Sequence, residues 1–194
     1  QYIIDLKNNL SLTEKELKEI DISDQRYRKD IRETIEKHGL NSKKVQELSH
    51  LMHINDSINL IKVKAIIDQY GWPGPEIIGE AGSSTLFMVI QHSDYAIQKK
   101  YLPIIREAVK NQKVSPSELA LLEDRVALAE GKQQIYGSQL RYNEKKKCYY
   151  LPHLKDPDNA DKRRAEMGLG PLASYLKNFN ITWDVKKYKK EKQR

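Results

Sequence analysis

The sequence predicts a mostly α-helical single domain with a small β-hairpin in its C-terminal third. Three observations lead there. Apolar residues recur at helical spacing over residues 42–70, 76–92 and 116–130. Helix-start signals stand ahead of several of these runs, the clearest being Ser115-Pro116-Ser117-Glu118: a cap, a proline at the first position and a glutamate to close the box. After Gly137 the pattern changes to short segments, Leu140-Arg141-Tyr142 and Cys148-Tyr149-Tyr150-Leu151, around a charged turn.

Taken in order, residues 1–12 form a lead-in, 13–183 the helical domain and 184–194 a basic tail. Thr13 with Glu16 is a capping-box pattern and predicts a short helix. A second helix is expected over 23–38, started by Ser23 or Asp24 and stopped by Gly39. Asp24, Gln25 and Arg28 share neighbouring positions at its beginning, where the helix dipole favours an acidic residue. Asn41 or Ser42 opens a longer helix to about Tyr70, with a break near Asn55 left open. Leu48, Met52, Val63, Ile66 and Tyr70 fall on one arc of it. Asn59 lies inside that arc and Asp56 at its edge, so the Asn59 amide needs a hydrogen-bond partner in another segment.

Gly71-Trp72-Pro73-Gly74-Pro75 breaks the helix. Residues 76–92 then read as a central helix, apolar nearly all round, with a strand over 85–90 as the alternative. Asp94 caps the next helix, which Pro103 either kinks or restarts. Gly131 ends the helix begun at Ser115. Residues 160–167 and 171–178 form two short helices divided by Gly168-Leu169-Gly170.

The chain has 194 residues, 39% hydrophobic and 31% charged, enough to bury a real core. No apolar run approaches the ~18 residues that span a bilayer. A single cysteine, Cys148, excludes an internal disulfide. A trimmed end and a processed N-terminus both fit Gln1, so exported and cytoplasmic locations both stay open. Residues 184–194 hold six basic and two acidic residues, four of the seven net positive charges. Such a tail reads as a solvated end with little to bury, and Trp183 marks where docking stops. With Tyr188 its only aromatic residue, nucleic-acid binding ranks last among the readings.

Chemistry is sought where polar groups interrupt apolar faces. Arg125 sits near the middle of the apolar arc of helix 116–130, whereas Asp124 points away from its centre. A buried guanidinium needs acceptors, from a structural carboxylate or an anionic ligand. His92 ends the central helix and Asp94 follows, an acid/base with a carboxylate to orient it. Gln134, Tyr136 and Gln139 flank Gly137, whose freedom lets side chains on both sides converge. The leading expectation is a small-ligand pocket in which His92 and Asp94 act on the substrate. In it Asn59, Arg125, Gln134, Tyr136, Gln139, Asp24, Gln25 and Arg28 bind. Arg125 would be an anion clamp in the cavity that holds His92, and hydrolysis or group transfer would suit such groups. The sequence carries no glycine-rich phosphate loop, paired-cysteine zinc pattern or nucleophile elbow. His50 and His53 form too weak a pattern to predict a metal, and the sequence leaves the question of a cofactor open. The rival is a non-enzymatic interaction module in which the same polar residues hold helices together.

Certain residues stand out together as a combined pattern. They are Asp24-Gln25 with Arg28, Asn59 ahead of Gly71-Trp72-Pro73, Gln91-His92-x-Asp94, Gln98, and Tyr101-Leu102-Pro103. The pattern continues with Asp124-Arg125, Gly131, Gln134-x-Tyr136-Gly137-Ser138-Gln139, Asp161-x-Arg163-Arg164 and Gly168-Leu169. Over roughly residues 20–177 the chain resembles an uncharacterised bacterial family, one of the domains of unknown function. The resemblance implies a mostly helical domain, often in exported bacterial proteins, and brings no established activity.

Overall fold

Ser42, the predicted cap, accepts a hydrogen bond from the Val45 amide and starts the longest helix of the protein, Lys43–Tyr70. The computed structural model describes residues 15–192. The chain forms two compact units, Gln1–Ser115 and Pro116–Arg194. It is a mostly helical bundle with one small antiparallel hairpin, as the periodicity indicates. The capping box at Thr13 and the lead-in over 1–12 lie outside the described residues.

In the first unit, helix α1 covers residues 15–25, α2 Arg28–His38, α3 Lys43–Tyr70, α4 Pro75–His92 and α5 Tyr95–Lys110. Ser23 and Asp24 finish α1 instead of starting α2, which begins after Tyr27 with no side-chain cap. The reason is that the Asp24 carboxylate is engaged elsewhere, as shown below. No break occurs at Asn55. Residues 85–90 are helical, and the non-helical point of α4 is Gly79. Pro103 is accommodated inside one continuous α5. Leu17 and Ile20 of α1, Val63 of α3, Leu86, Phe87 and Ile90 of α4, and Tyr101 and Ile105 of α5 are almost wholly buried. Gly82 lets α1 approach α4, since a Cβ there would stand 3.1 Å from a Leu17 methyl.

In the second unit, α6 spans Pro116–Ala129, followed by β1 Arg141–Asn143 and β2 Cys148–Tyr150. The strands pair antiparallel, with Tyr142 opposite Tyr149 and their rings edge to face at 5.1 Å. Helices α7 Ala160–Glu166 and α8 Leu172–Lys177 fall where the sequence puts them. Leu151, Leu154, Ala160, Leu172 and Leu176 form a small core.

The tail departs from its expected role as a solvated end. Val185–Lys192 is a helix, α9, and Tyr188 packs on the core of the second unit. Its hydroxyl donates to the Pro152 carbonyl at 2.6 Å and accepts from the Leu154 amide at 2.7 Å. Trp183 lies beside it at 5.3 Å between ring centroids, and Lys189 pairs with Asp158. One aromatic residue in a run of lysines is enough to dock the segment. Tyr188→Phe should therefore lower stability by about 1–2 kcal/mol in denaturant titrations, because the Leu154 amide loses its acceptor. Truncation after Trp183 should cost more than that single change; equal stability of the truncated and intact chains would contradict the docked arrangement.

Candidate functional site

Gln91-His92-x-Asp94 ends α4, turns, and begins α5. Asp94 caps α5 by accepting from the Ile97 amide at 2.9 Å. Gln98, one turn into α5 and buried, donates to the carbonyls of Gln91 at 2.9 Å and Ser93 at 2.7 Å. The carbonyls at a helix end lack partners within the helix, and here a side-chain amide supplies them. Gln98 thus fixes the turn that carries His92.

The carboxylate that holds His92 is Asp24, not Asp94. His92 Nδ1 lies 3.0 Å from both Asp24 oxygens. Asp94 instead spends its contact on the α5 cap. The physical reason is direction: a helix-capping side chain turns toward the amides that follow it, whereas the end of α1 brings Asp24 to the imidazole. Asp24 is 3% exposed. It also accepts from Gln25 Nε2 at 2.8 Å and from Arg28 Nε at 3.2 Å. Arg28 bridges onward to Asp56 of α3. Burial alone would push the Asp24 carboxyl up. The His92 hydrogen bond and charge, with those of Arg28, outweigh it and hold the carboxyl below its ordinary 3.8. An ionised carboxylate can only accept, so Nδ1 carries the proton and Nε2 is left for other chemistry. Among the described residues Nε2 makes no hydrogen bond.

Beside this pair is a cavity of about 230 Å³, lined by His53, Asp56, Ser57 and Leu60 of α3 and by His92, Ser93 and Asp94. Its polar lining includes two carboxylates and two imidazoles, and the nearby Arg28 cation is engaged by Asp24 and Asp56. Among the described residues, no group of three or more His, Cys, Asp or Glu side chains is arranged to hold a metal ion. Asn59 is buried and donates from its amide to Ser23 Oγ at 3.5 Å, as its place in the apolar arc requires. Asn55 reaches the Ser23 carbonyl at 3.5 Å. Both amides tie α3 to the end of α1, and so position Asp24.

The second unit has its own buried carboxylate. Asp124, expected to point away from the core, is wholly buried, and Arg125 is partly buried. The loop after α6 is what reverses that expectation, because it brings donors to the Asp124 side. Asp124 accepts from the amides of Ile135 at 2.5 Å, Tyr136 at 3.0 Å and Ser138 at 2.9 Å, and from the Ser138 hydroxyl at 2.9 Å. Gln134 is buried and spans the loop: its oxygen accepts from the Gln139 amide at 3.0 Å and its nitrogen donates to the Gln139 carbonyl at 3.2 Å. The Gln139 side chain donates to the Leu121 carbonyl at 3.3 Å, and the Tyr136 hydroxyl to Glu123 at 3.0 Å. Gly137, at φ 70°, makes the turn and lies against Leu172. Buried Arg164 donates to the carbonyls of Tyr136 at 2.9 Å and Gly170 at 2.6 Å. Burial lowers its pKa, against the opposing charges of Asp161, Tyr175 and Asp124.

The structure therefore brings together Asp24, Gln25, Arg28 and His92, with Asp94 at the rim of the same cavity. It places Gln134, Tyr136 and Gln139 with Asp124 in a loop of the second unit, where Arg125 also lies. Asp56 and His53 were weighed in the sequence only as helix-edge polarity and a weak metal pattern, although both line the cavity. For Asp56 the available signal was its spacing from Asn59, since a residue three positions before a buried one lies near the same side of a helix; His53, six positions before, lies about 120° round it and carried no such signal.

Asp24→Asn should destabilise the protein by roughly 2–4 kcal/mol at pH 7, since a buried ion pair loses one member. The folded-state pKa of Asp24 is depressed, so its contribution is present above the ordinary carboxyl value and is lost as pH falls through the folded one. The gap between wild type and variant should thus narrow below pH 3.8 in urea titrations. A gap independent of pH would show that the pair contributes nothing by ionisation. Asp124→Ala, which strands three backbone donors, should cost at least about 3 kcal/mol in the same assay.

The chain belongs to a family of unknown function, DUF6624, whose match covers residues 13–188. No curated protein matches it. No solved structure matches it either.

Proposed function

We propose that this member of the DUF6624 family binds a small polar molecule in the cavity beside the Asp24–His92 pair, and that His92 moves a proton on it. One observation carries the reading: a buried, ionised carboxylate grips Nδ1 and leaves Nε2 unbonded on a residue that lines a cavity. That division of the two nitrogens is what a general acid/base requires. Asp24 fixes the tautomer and offsets charge on the ring, Gln25 and Arg28 hold Asp24, and Gln98 holds the turn. Asp56 and Asp94 favour a neutral or cationic ligand with hydrogen-bond donors, because the nearest guanidinium is already matched by two carboxylates. Hydrolysis or group transfer on such a molecule is the reaction class.

The second reading is an interaction module without catalysis. The hydrogen bonds of Asn59, Gln134 and Gln139 favour it, since each amide is spent within its own unit.

Thermal-shift measurements on a panel of small amines, amides and polyols separate the two. A ligand that binds only the folded state raises the melting midpoint. His92→Gln retains a donor for Asp24 and should keep its midpoint within a few degrees while losing the ligand-induced rise. Equal responses of wild type and His92→Gln would move the site elsewhere, and no response in either would favour the interaction module.

A further inference from the structure

Helix α3 has two apolar faces, and among the described residues of its unit only one is buried. Val45, Asn59, Val63 and Ile66 are buried within the unit. On the outward side Leu51, Ile54, Ile58 and Ile61 stand 40%, 45%, 48% and 71% exposed. Their spacings of three, four and three are those of a coiled-coil seam. The solvent face of a helix in a monomer is ordinarily polar, and four large aliphatic residues in one line depart from that. The same spacing continues through exposed Lys44 and Glu47 at one end and exposed Ala65 and Asp68 at the other. From Lys44 to Asp68 the seam runs about 36 Å at the helical rise of about 1.5 Å per residue.

We propose that this seam is a self-association surface on which α3 pairs with α3 of a second copy, antiparallel and centred near Asp56. Charge selects both the occupant and the direction. In a parallel pair Lys44, Glu47 and Asp68 would each meet their own like charge across the seam. Reversing one helix sets Leu51 against Ile61 and Ile54 against Ile58, and brings Lys44 opposite Asp68 at both ends. One sequence thus supplies its own complement, as a two-fold interface requires. Ser57 lies beside the seam and also lines the His92 cavity, so the second copy would sit at that cavity's edge.

Sedimentation equilibrium on the intact chain tests this. Wild type should be a dimer at tens of micromolar, and Ile58→Glu a monomer with an unchanged helical spectrum, because Ile58 is half exposed. Should Ile58→Glu fail to fold, Ile61→Lys at the most exposed position makes the same test. Lys44→Asp and Asp68→Lys should each weaken association by about tenfold, two end contacts being lost per dimer, and the double variant should restore it. A wild type still monomeric at about 100 µM, above the concentration at which the dimer is expected, would overturn the proposal and leave the seam to a different protein. A dimer that survives Ile58→Glu and Ile61→Lys would place the interface elsewhere. Single charge reversals without effect, or a double variant no tighter than either single, would overturn the antiparallel register.

Discussion

A carboxylate taken out of water costs several kcal/mol unless donors replace the water it loses, and each unit of this protein is assembled around one such group. Asp24 draws donors from its own helix, from Arg28 at the start of α2 and from His92 at the end of α4. Asp124 draws its donors from the backbone of one loop and one hydroxyl. The difference decides what each can do. Backbone amides cannot titrate, so Asp124 makes a fixed loop. An imidazole can, so Asp24 makes a group with a free second nitrogen.

The surroundings of His92 follow from the same need. Arg28 alone could neutralise Asp24, yet it also reaches Asp56, so the two carboxylates share one guanidinium and the histidine completes the set. The helix end that presents His92 is stabilised not by solvent but by Gln98, whose single NH₂ group serves two carbonyls. Asn55 and Asn59 draw the end of α1 onto α3. Five helices are therefore indexed to one another at the imidazole. Precision of that kind is costly in conformational entropy, and pre-organisation of the proposed acid/base would be one return for it.

Much of the fold was legible in the sequence because caps and breakers act locally. Ser42, Asp94, Pro75, Pro116 and Gly39 mark helix ends where the sequence puts them. The buried amide of Asn59 was legible too, since an arc of apolar neighbours leaves it no water. What was not legible depended on partners distant in the chain. Asp24 looked like a helix start because acidic residues favour that place, and only the α4 terminus, 68 residues on, shows otherwise. Asp124 was set on the outer side of α6 because a helical wheel counts apolar residues and cannot see a loop folding back with three free amides. Tyr188 was lost in a lysine-rich run whose average composition hid one docking side chain.

The long helix α3 connects these observations. Its inner face fixes Asp24 through two asparagines, and an adjoining face contributes His53, Asp56, Ser57 and Leu60 to the cavity. Its outer face carries the aliphatic seam. A helix of 28 residues is far longer than the three or four turns common in globular domains, and the seam runs along the same turns that bury Asn59 and Val63, on the other side. The sequence had to keep apolar residues on two sides of this helix and polar ones on the strip between them. That strip is the one that faces His92. An unpaired outer seam would leave one edge of the strip in water, whereas a second helix along it would shield the cavity wall on both sides and lower the dielectric around the Asp24–His92 pair. Shielding of that kind strengthens every charge interaction at the imidazole, so association and proton transfer would be coupled through one helix and not through any change of fold.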